Sequence, residues 1–358
     1  MAETRNFNYP VNMNAGLSVN GSELVGNLFA ARGKVFFVDP ANGSDTANSG
    51  RQPRNAYATL YKAHSSMTAG ANDICVLIGD GSTTATARLS LANAVSVDSA
   101  ATTGTLTWSK NACHLVGLTA PTRNWQRARI APPSGTYTQS TFNSGTFIEI
   151  TADGCVFSNF SIFHGFSTGG TSQIAIKLTA GHRNYFDNVH IYGMADQTSA
   201  DNTASASIHL AGSSENTFNN CTIGGDTVTR GDANGSVLIT ASSSRNFFDD
   251  CVFQFHCDAA SPLAVLCTGA TPLDRLTYFR RCLFANSVGS ATTTMSALAT
   301  IPASAGGALV FQDCMRVGIT DVGTNADSLA QCYMGGWSGG TTNHAGDDIG
   351  RGIVSVAS

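Results

Sequence analysis

The feature that most constrains the fold is an internal repeat between positions 155 and 316, in which one short pattern recurs six times. The copies align on a phenylalanine, and successive copies begin about 30 residues apart, a period typical of solenoids. In a solenoid each repeat packs mainly on its two neighbours. The aligned positions are Phe157, Phe186, Phe218, Phe248, Phe279 and Phe311.

Two further columns follow the phenylalanine and indicate the path of one coil. The residue two positions on is mostly Asn or Asp, types that tolerate left-handed backbone and favour a tight bend. Its members are Asn159, Asn188, Asn220, Asp250, Asp313 and, as an exception, Arg281. The next residue is apolar and becomes cysteine in the last four copies, at Cys221, Cys251, Cys282 and Cys314.

Short strands on both sides of the bend follow from the period-two spacing of the apolar residues. Copies stacked in register then form a parallel β-helix, with like residues about 4.8 Å apart. We therefore expect a core stack of phenylalanine and cysteine, and a structural ladder of the bend residues. A leucine-rich repeat does not match, because its period is 20–29 residues and its signature is rich in leucine.

Composition excludes several functional classes. Only 12% of the 358 residues are charged, about half the usual share, and the net charge of −4 offers no basic excess for nucleic acid. Apolar runs reach about five residues, too short to span a membrane. The first residues do not resemble a secretory signal. The 10 cysteines form no Cys-x-x-Cys pair, so we expect buried thiols, no metal and no cofactor.

The repeated pattern Asn-x-Phe-x-Asn-Cys-x-Ile resembles right-handed parallel β-helices of the pectate-lyase-like superfamily, over residues 74–334. The preceding stretch is similar to the opening of phage-encoded β-helix proteins. It runs from Phe37-Val-Asp-Pro-Ala-Asn-Gly to Ala56-Tyr-Ala-Thr-Leu-Tyr-Lys-Ala. The resemblance implies an all-β, single-stranded right-handed parallel β-helix (a β-solenoid) that begins with a capping helix. It also implies a place in a phage particle.

Four segments are predicted along the chain: an N-terminal arm (1–33), a strand–loop–helix cap (34–72), the parallel β-helix (73–334) and a C-terminal extension (335–358). A short helix over Ala56–His64 should turn Leu60 and Ala63 toward the end of the first coil. The arm is either a floppy terminus or a partner-binding segment, and its scattered apolar residues favour binding. Those residues are Phe7, Tyr9, Leu17, Leu24, Leu28 and Phe29.

No cluster of catalytic residues is evident, so the sequence favours a protein that is not an enzyme. If it is one, Asp187, Asp249 and Asp250 are the candidate carboxylates. Asp187 and Asp249 occupy the same column on either side of Asn219. They should lie two strands apart, about 9–10 Å, near the upper limit for an inverting glycosidase pair.

Two functions remain in competition. The first is a structural virion protein, a capsid decoration, cement or head-spike protein that docks on the major capsid protein. The resemblance suggests a homotrimer made in the host cytoplasm and placed on the capsid surface. The alternative is a tailspike or receptor-binding protein that binds or depolymerises host surface polysaccharide. Tailspikes should carry aromatic residues for sugar stacking, and Trp108, Trp125 and Trp337 do not fall on neighbouring coils.

Overall fold

Three parallel sheets wind together into a β-helix in the computed structural model of the chain, which confirms the predicted fold class. Between His114 and Gly323 each coil contributes one strand to each sheet, and coil follows coil in register. A two-stranded antiparallel ribbon, Ser18–Val19 with Ser22–Glu23, lies before the first coil in the sequence. The structure describes residues 18–19, 22–23, 33–79, 105–130, 145–164, 172–286, 292–325, 328, 331–335 and 354–355.

Sheet 1 holds the phenylalanine column and runs the length of the described coils. All its strand pairs are parallel except the last, where Val354–Ser355 lies antiparallel to Cys332–Gly335. Its strands, in spatial order, are Val35–Val38, Ile74–Ile78, His114–Leu118, Val156–Ser158, Tyr185–Asp187, Thr217–Asn219, Phe247–Asp249, Thr277–Arg280, Leu309–Gln312, Cys332–Gly335 and Val354–Ser355.

Sheets 2 and 3 complete each coil, and all their strand pairs are parallel. Sheet 2 follows the bend and consists of Arg129–Ile130, Ser161–Phe163, His190–Tyr192, Thr222–Gly224, Val252–Phe255, Leu283–Asn286 and Met315–Val317. Sheet 3 consists of Leu106–Trp108, Thr146–Ile150, Ile174–Thr179, Ala206–Ala211, Gly235–Thr240, Leu263–Cys267, Met295–Thr300 and Ile319–Gly323.

The six phenylalanines of the repeat form one continuous stack inside the coil. Neighbouring ring centroids are 4.5–4.9 Å apart and the rings lie within 17° of parallel. Every one of them is at most 2% exposed. The spacing equals the distance between hydrogen-bonded strands, so the strand register holds each ring directly over the previous one.

The column after each phenylalanine turns the chain between sheets 1 and 2. Its residues have positive φ angles of 50–62°, the left-handed region that short polar side chains tolerate best. Arg281 adopts the same conformation at φ 50°. The next residue, cysteine in four coils, is buried and donates its thiol to the phenylalanine carbonyl of the coil before. Cys282 Sγ, for example, lies 3.2 Å from the Phe248 carbonyl oxygen.

A buried asparagine ladder lies at a different position from the predicted one, two residues before the phenylalanine. Asn216 Oδ1 accepts the backbone N–H of Asn184 at 3.0 Å, and Asn246 Oδ1 accepts that of Asn216 at 3.1 Å. All three are at most 1% exposed. In the bend column the structure shows one amide link between coils, from Asn188 Nδ2 to Asn159 Oδ1. Asn188 in the bend column is buried as well, whereas Arg281 and Asp313 at the same position of later coils are exposed.

The capping helix spans Leu60–Ser66, and the predicted start at Ala56 is wrong. Thr59 is the N-cap, with its side chain accepting the Lys62 N–H, and Asp45 accepts hydrogen bonds from the N–H and the hydroxyl of Thr59. Tyr57 precedes the cap in extended backbone, where it exchanges hydrogen bonds with the edge of strand Val35–Val38. Leu60 and Ala63 are buried toward the first coil, as expected.

Two shorter helical segments, the 3-10 turn Pro53–Asn55 and the helix Gln197–Ala200, lie in loops. Among the residues that the structure describes, no helix has the length and apolar character that crossing a membrane requires.

Candidate functional site

The outer face of sheet 1 carries two columns of side chains that alternate with the buried phenylalanines. We call the first the aromatic column, at positions Tyr185, Thr217, Phe247, Tyr278, Val310 and Tyr333. We call the second the polar column, at positions Asp187, Asn219, Asp249, Arg280 and Gln312. Both columns run parallel to the axis of the β-helix because the strands are in register.

Aromatic side chains in the first column are partly open to solvent. Tyr185 is 40% exposed and Phe247 is 37% exposed, in contrast to the enclosed rings on the other side of the same strands. Phe247 and Tyr278 stack on each other with centroids 4.7 Å apart and planes within 5°. Thr217 and Val310 interrupt the column, so one face of Phe247 and one face of Tyr278 have no aromatic neighbour within the column.

The polar column is organised by hydrogen bonds between coils. Asn219 Nδ2 donates to Asp187 Oδ1 at 2.7 Å. Arg280 binds both oxygens of Asp249, with two N–O distances of 2.8 Å. This paired, two-point geometry holds the carboxylate and the guanidinium in fixed orientations on the surface.

Asp250 and Arg281 repeat that arrangement at the bend beside the polar column. Arg281 Nε and Nη2 donate to the two oxygens of Asp250 at 2.8 and 2.7 Å. These hydrogen bonds lower the pKa of Asp250 below its usual range. Arg123, from a loop of an earlier coil, donates to the backbone carbonyl of Asp250 at 3.2 Å.

A depression of about 560 Å³ opens at the end of the aromatic column. Its floor and walls include Phe247, Tyr278 and Tyr333, with Leu276 beside them. Two loops enclose it, one through Asp274–Leu276 and the other through Ala305–Ala308, and Gln331 lies at its side. Gly307 lies where an added Cβ would clash with the Arg275 backbone, so the two loops are closely packed.

The arginines at this depression already have carboxylate partners. Arg275 Nη1 lies 2.9 Å from Asp274 Oδ1, and Arg245 Nη1 lies 3.1 Å from Glu215 Oε1. Arg183 binds the other oxygen of Glu215 at 2.7 Å, and this hydrogen bond is the main reason that the Glu215 pKa is lowered. The rim is therefore polar and charged without a large local excess of either sign.

The candidate carboxylates lie as the repeat predicts relative to one another. Asp187 and Asp249 stand two strands apart in the polar column with Asn219 between them, a separation of about 9.5 Å. Both Asp249 oxygens are engaged by Arg280, and both Asp250 oxygens by Arg281. In the described coils Asp187 forms no ion pair, so it is the member of the three best placed to meet a ligand.

The tryptophans and the arm residues singled out in the sequence do not contribute to the outer face of sheet 1 in the described residues. Trp108 is enclosed in the core, Trp125 packs beside sheet 2 against His190, and Trp337 lies outside the described residues. The six apolar arm residues, Phe7, Tyr9, Leu17, Leu24, Leu28 and Phe29, also lie outside them. Within the described ranges, no group of three or more His, Cys, Asp or Glu is arranged to hold a metal ion.

The aromatic column is a feature that the sequence prediction missed, because that prediction considered tryptophan alone. Its signal is the residue directly before the repeat phenylalanine, in Asn184-Tyr-Phe-Asp, Asn246-Phe-Phe-Asp and Thr277-Tyr-Phe-Arg. Two adjacent aromatic residues in a strand must point to opposite faces. One ring therefore enters the core and the other is presented to solvent.

Comparison with solved structures places the fold. Pectate lyase Pel9A superposes with a TM-score of 0.58 at 12% identity, covering 89% of this chain and 73% of that one. The chain has the pectate-lyase-like β-helix fold. Pectin methylesterase PemA from Erwinia chrysanthemi superposes at 0.55 and 14% identity, covering 88% of this β-helix protein and 92% of the esterase. A Geobacillus virus E2 protein matches at a TM-score of 0.35, too low to support an argument.

The sequence itself matches no protein-family profile and no curated protein. The prediction that the protein is not an enzyme, drawn from the lack of an evident catalytic cluster in the sequence, is wrong, because the superposed structures include a pectate lyase and a pectin methylesterase. At 12–14% identity these structures share the fold alone and assign no reaction to this chain.

Proposed function

We propose that the protein binds a polysaccharide along the outer face of sheet 1, in the manner of a tailspike or receptor-binding protein that holds host surface glycan. The observation that carries the proposal is the depression formed by Phe247, Tyr278 and Tyr333 beside a column of hydrogen-bonded polar side chains. Concave sites with apolar walls and a few fixed polar groups are the usual form of ligand sites.

The chemistry of the face suits sugar rings. A pyranose has an apolar face of C–H groups and an equatorial rim of hydroxyl groups. Aromatic rings provide apolar contact area with little loss of side-chain entropy, and the paired carboxylates and guanidinium groups can hydrogen-bond hydroxyls. Because Asp249 is held by Arg280, it need not reorganise when a ligand arrives.

A reaction on the bound glycan would involve Asp187 first. Its carboxylate is oriented by Asn219, and the second carboxylate, Asp249, lies about two strand spacings away. That separation is at the upper end of the range for an inverting hydrolase, in which one carboxyl group protonates the leaving oxygen and the other activates water.

Binding to a panel of immobilised bacterial surface polysaccharides tests the proposal. The variant Tyr278→Ala/Tyr333→Ala should lose binding at least tenfold, because it removes two walls of the depression. Tyr61→Ala is the matched control: Tyr61 is exposed on the capping helix, which packs at the first strands of sheet 1, several coils from the depression. Equal binding by both variants, with unchanged thermal unfolding, would reject this face as the site.

Location in a phage particle is part of the proposal and is supported by the resemblance of the cap segment to phage β-helix openings. Capsid decoration, a homotrimer and docking on the major capsid protein by residues 1–33 remain predictions. Imaging purified particles that contain the tagged chain separates them: density on the tail supports receptor binding, and density on the shell supports decoration.

A further inference from the structure

The depression between the Asp274–Leu276 and Ala305–Ala308 loops has a chemical character that narrows its ligand. We infer that it takes a neutral sugar residue carrying an N-acetyl group and discriminates against acidic sugars. The inference rests on the proposed function, since it specifies which polysaccharide the outer face of sheet 1 would bind. Three features of the depression support it: its charge pairing, its apolar walls and one side-chain amide.

Charge pairing disfavours an acidic ligand. Both arginines that line the depression have a carboxylate partner, Asp274 for Arg275 and, for Arg245, Glu215, which Arg183 shares. A uronate that approaches either arginine would lie close to the carboxylate of Asp274 or Glu215. Unfavourable like-charge contact of this kind is a recognised means of rejecting a ligand.

The walls of the depression present apolar surface that the hydroxyl groups of a sugar alone would not cover. Leu276 is 36% exposed, Phe247 is 37% exposed, and Ala305 and Ala308 of the opposite loop also line the depression. An acetamido group presents a methyl group that such walls can remove from water. Volume is adequate as well, because about 560 Å³ lies in the range of small-molecule sites.

Gln331 supplies the polar complement at the side of the depression. Its Nε2 donates to the Pro302 carbonyl oxygen at 3.3 Å, which orients the amide. Its Oε1 is buried and accepts no hydrogen bond from any residue that the structure describes. An unsatisfied acceptor of this kind is costly unless a donor arrives, and the N–H of an acetamido group is such a donor.

Three tetrasaccharides test the inference by calorimetry on the full chain. Chitotetraose carries N-acetyl groups, cellotetraose is its counterpart with hydroxyl groups, and tetragalacturonate is acidic. We expect chitotetraose to bind at least tenfold tighter than the other two, with less than a threefold change between 50 and 300 mM NaCl.

The role of Gln331 has its own variant. Gln331→Leu should reduce chitotetraose affinity to the level of cellotetraose and leave cellotetraose unchanged. Gln52→Leu, at an exposed glutamine directly before the 3-10 turn Pro53–Asn55, is the matched control and should have no effect on either ligand.

Contrary results distinguish failure of the N-acetyl inference from failure of the proposed polysaccharide site. Tightest binding of tetragalacturonate, lost in Arg275→Gln, overturns the N-acetyl inference and leaves a polysaccharide site. If chitotetraose binds no more tightly than cellotetraose, the N-acetyl inference is likewise overturned and the polysaccharide site remains. If no polysaccharide binds in the panel and Tyr333→Ala instead abolishes self-association in light scattering, the face is an interface between copies and both proposals fail.

Discussion

The two faces of sheet 1 come from the same short strands and follow different rules. On the inner face, the position of Phe218 is phenylalanine in six consecutive coils, stacked at 4.5–4.9 Å. On the outer face, the adjacent position changes from Tyr185 to Thr217 to Phe247 within three coils. Packing constrains the interior because one ring must fit on the next. The outer face has no such requirement, so its pattern of aromatic and charged residues is free to serve a ligand.

The largest difference between the faces should appear on truncating neighbours in one strand. Phe218→Ala should destabilise the protein by about 3–5 kcal/mol, because a cavity opens inside the stack. Thr217→Ala, one residue away and facing outward, should change stability by less than about 0.5 kcal/mol. Urea unfolding followed by circular dichroism measures both. Similar losses in the two variants would show that the faces do not differ in this way.

Removing one member of the buried asparagine ladder should cost less than breaking the ring stack. Asn216→Ala leaves the Asn184 N–H and the Gly181 carbonyl group without their side-chain partner, at a cost of about 1–3 kcal/mol. Asn219→Ala, on the outer face, is the comparison and should cost under about 1 kcal/mol, the net value of one hydrogen bond. The same unfolding measurement checks the pair.

Mild acid should weaken the interior before it breaks the outer ion pairs. Burial lowers the pKa of His164 and of His190 to about 4, so both are neutral in the folded protein at neutral pH. Their stabilisation is fully present above the unfolded pKa of about 6.5 and is lost as the pH falls from there to about 4. Each contributes a slope of up to about 1.4 kcal/mol per pH unit.

Unfolding midpoints between pH 7 and pH 4 measure this dependence. His190→Gln should reduce the slope, because it removes one of the groups that must bind a proton on unfolding. Asp250, whose pKa Arg281 lowers, should keep its ion pair through this range. An unchanged slope in His190→Gln would contradict the assignment.

The smallest effect on stability is expected from the Asp249–Arg280 pair on the outer face. Arg280 is about half exposed, so a double-mutant cycle with Asp249→Asn and Arg280→Gln should give about 0.2–1 kcal/mol. The interaction should weaken at high salt. In either single variant the free energy of glycan binding should fall by more than the free energy of unfolding, because the pair fixes the orientation of groups in the binding face. A coupling energy well above the range of exposed ion pairs would indicate a structural role instead.

Much of the fold could be predicted because the repeat records it directly. Columns of phenylalanine, bend asparagine and cysteine require stacked coils, and the structure has them. The repeat predicts a ladder in the bend column, where the structure links Asn188 to Asn159, but it does not predict the second, fully buried ladder of Asn184, Asn216 and Asn246. In the copies at Phe186 and Phe218 an asparagine lies two residues away on each side of the phenylalanine, and the sequence pattern alone does not show which of the two is fully enclosed.

The capping helix illustrates a second limit of the pattern. It begins at Leu60 rather than Ala56, because Thr59 caps its first turn and Asp45 holds Thr59 in place. Asp45 lies in the loop before the helix, and only the folded loop brings its carboxylate to the cap. The apolar spacing predicts the buried residues of the helix correctly but does not define its first residue.

The sequence by itself determined that this chain winds into a β-helix, since only in-register stacking satisfies columns that recur once per coil. Tertiary structure decided where a ligand site could form. Tyr278 and Tyr333 are far apart in the chain, and Arg245, Asp274 and Gln331 come from different coils. Stacking of the coils brings these distant residues to one depression, and the loops that enclose it obey no repeat. The interior follows a period that can be read along the chain, whereas the site depends on which outer side chains the coils place together.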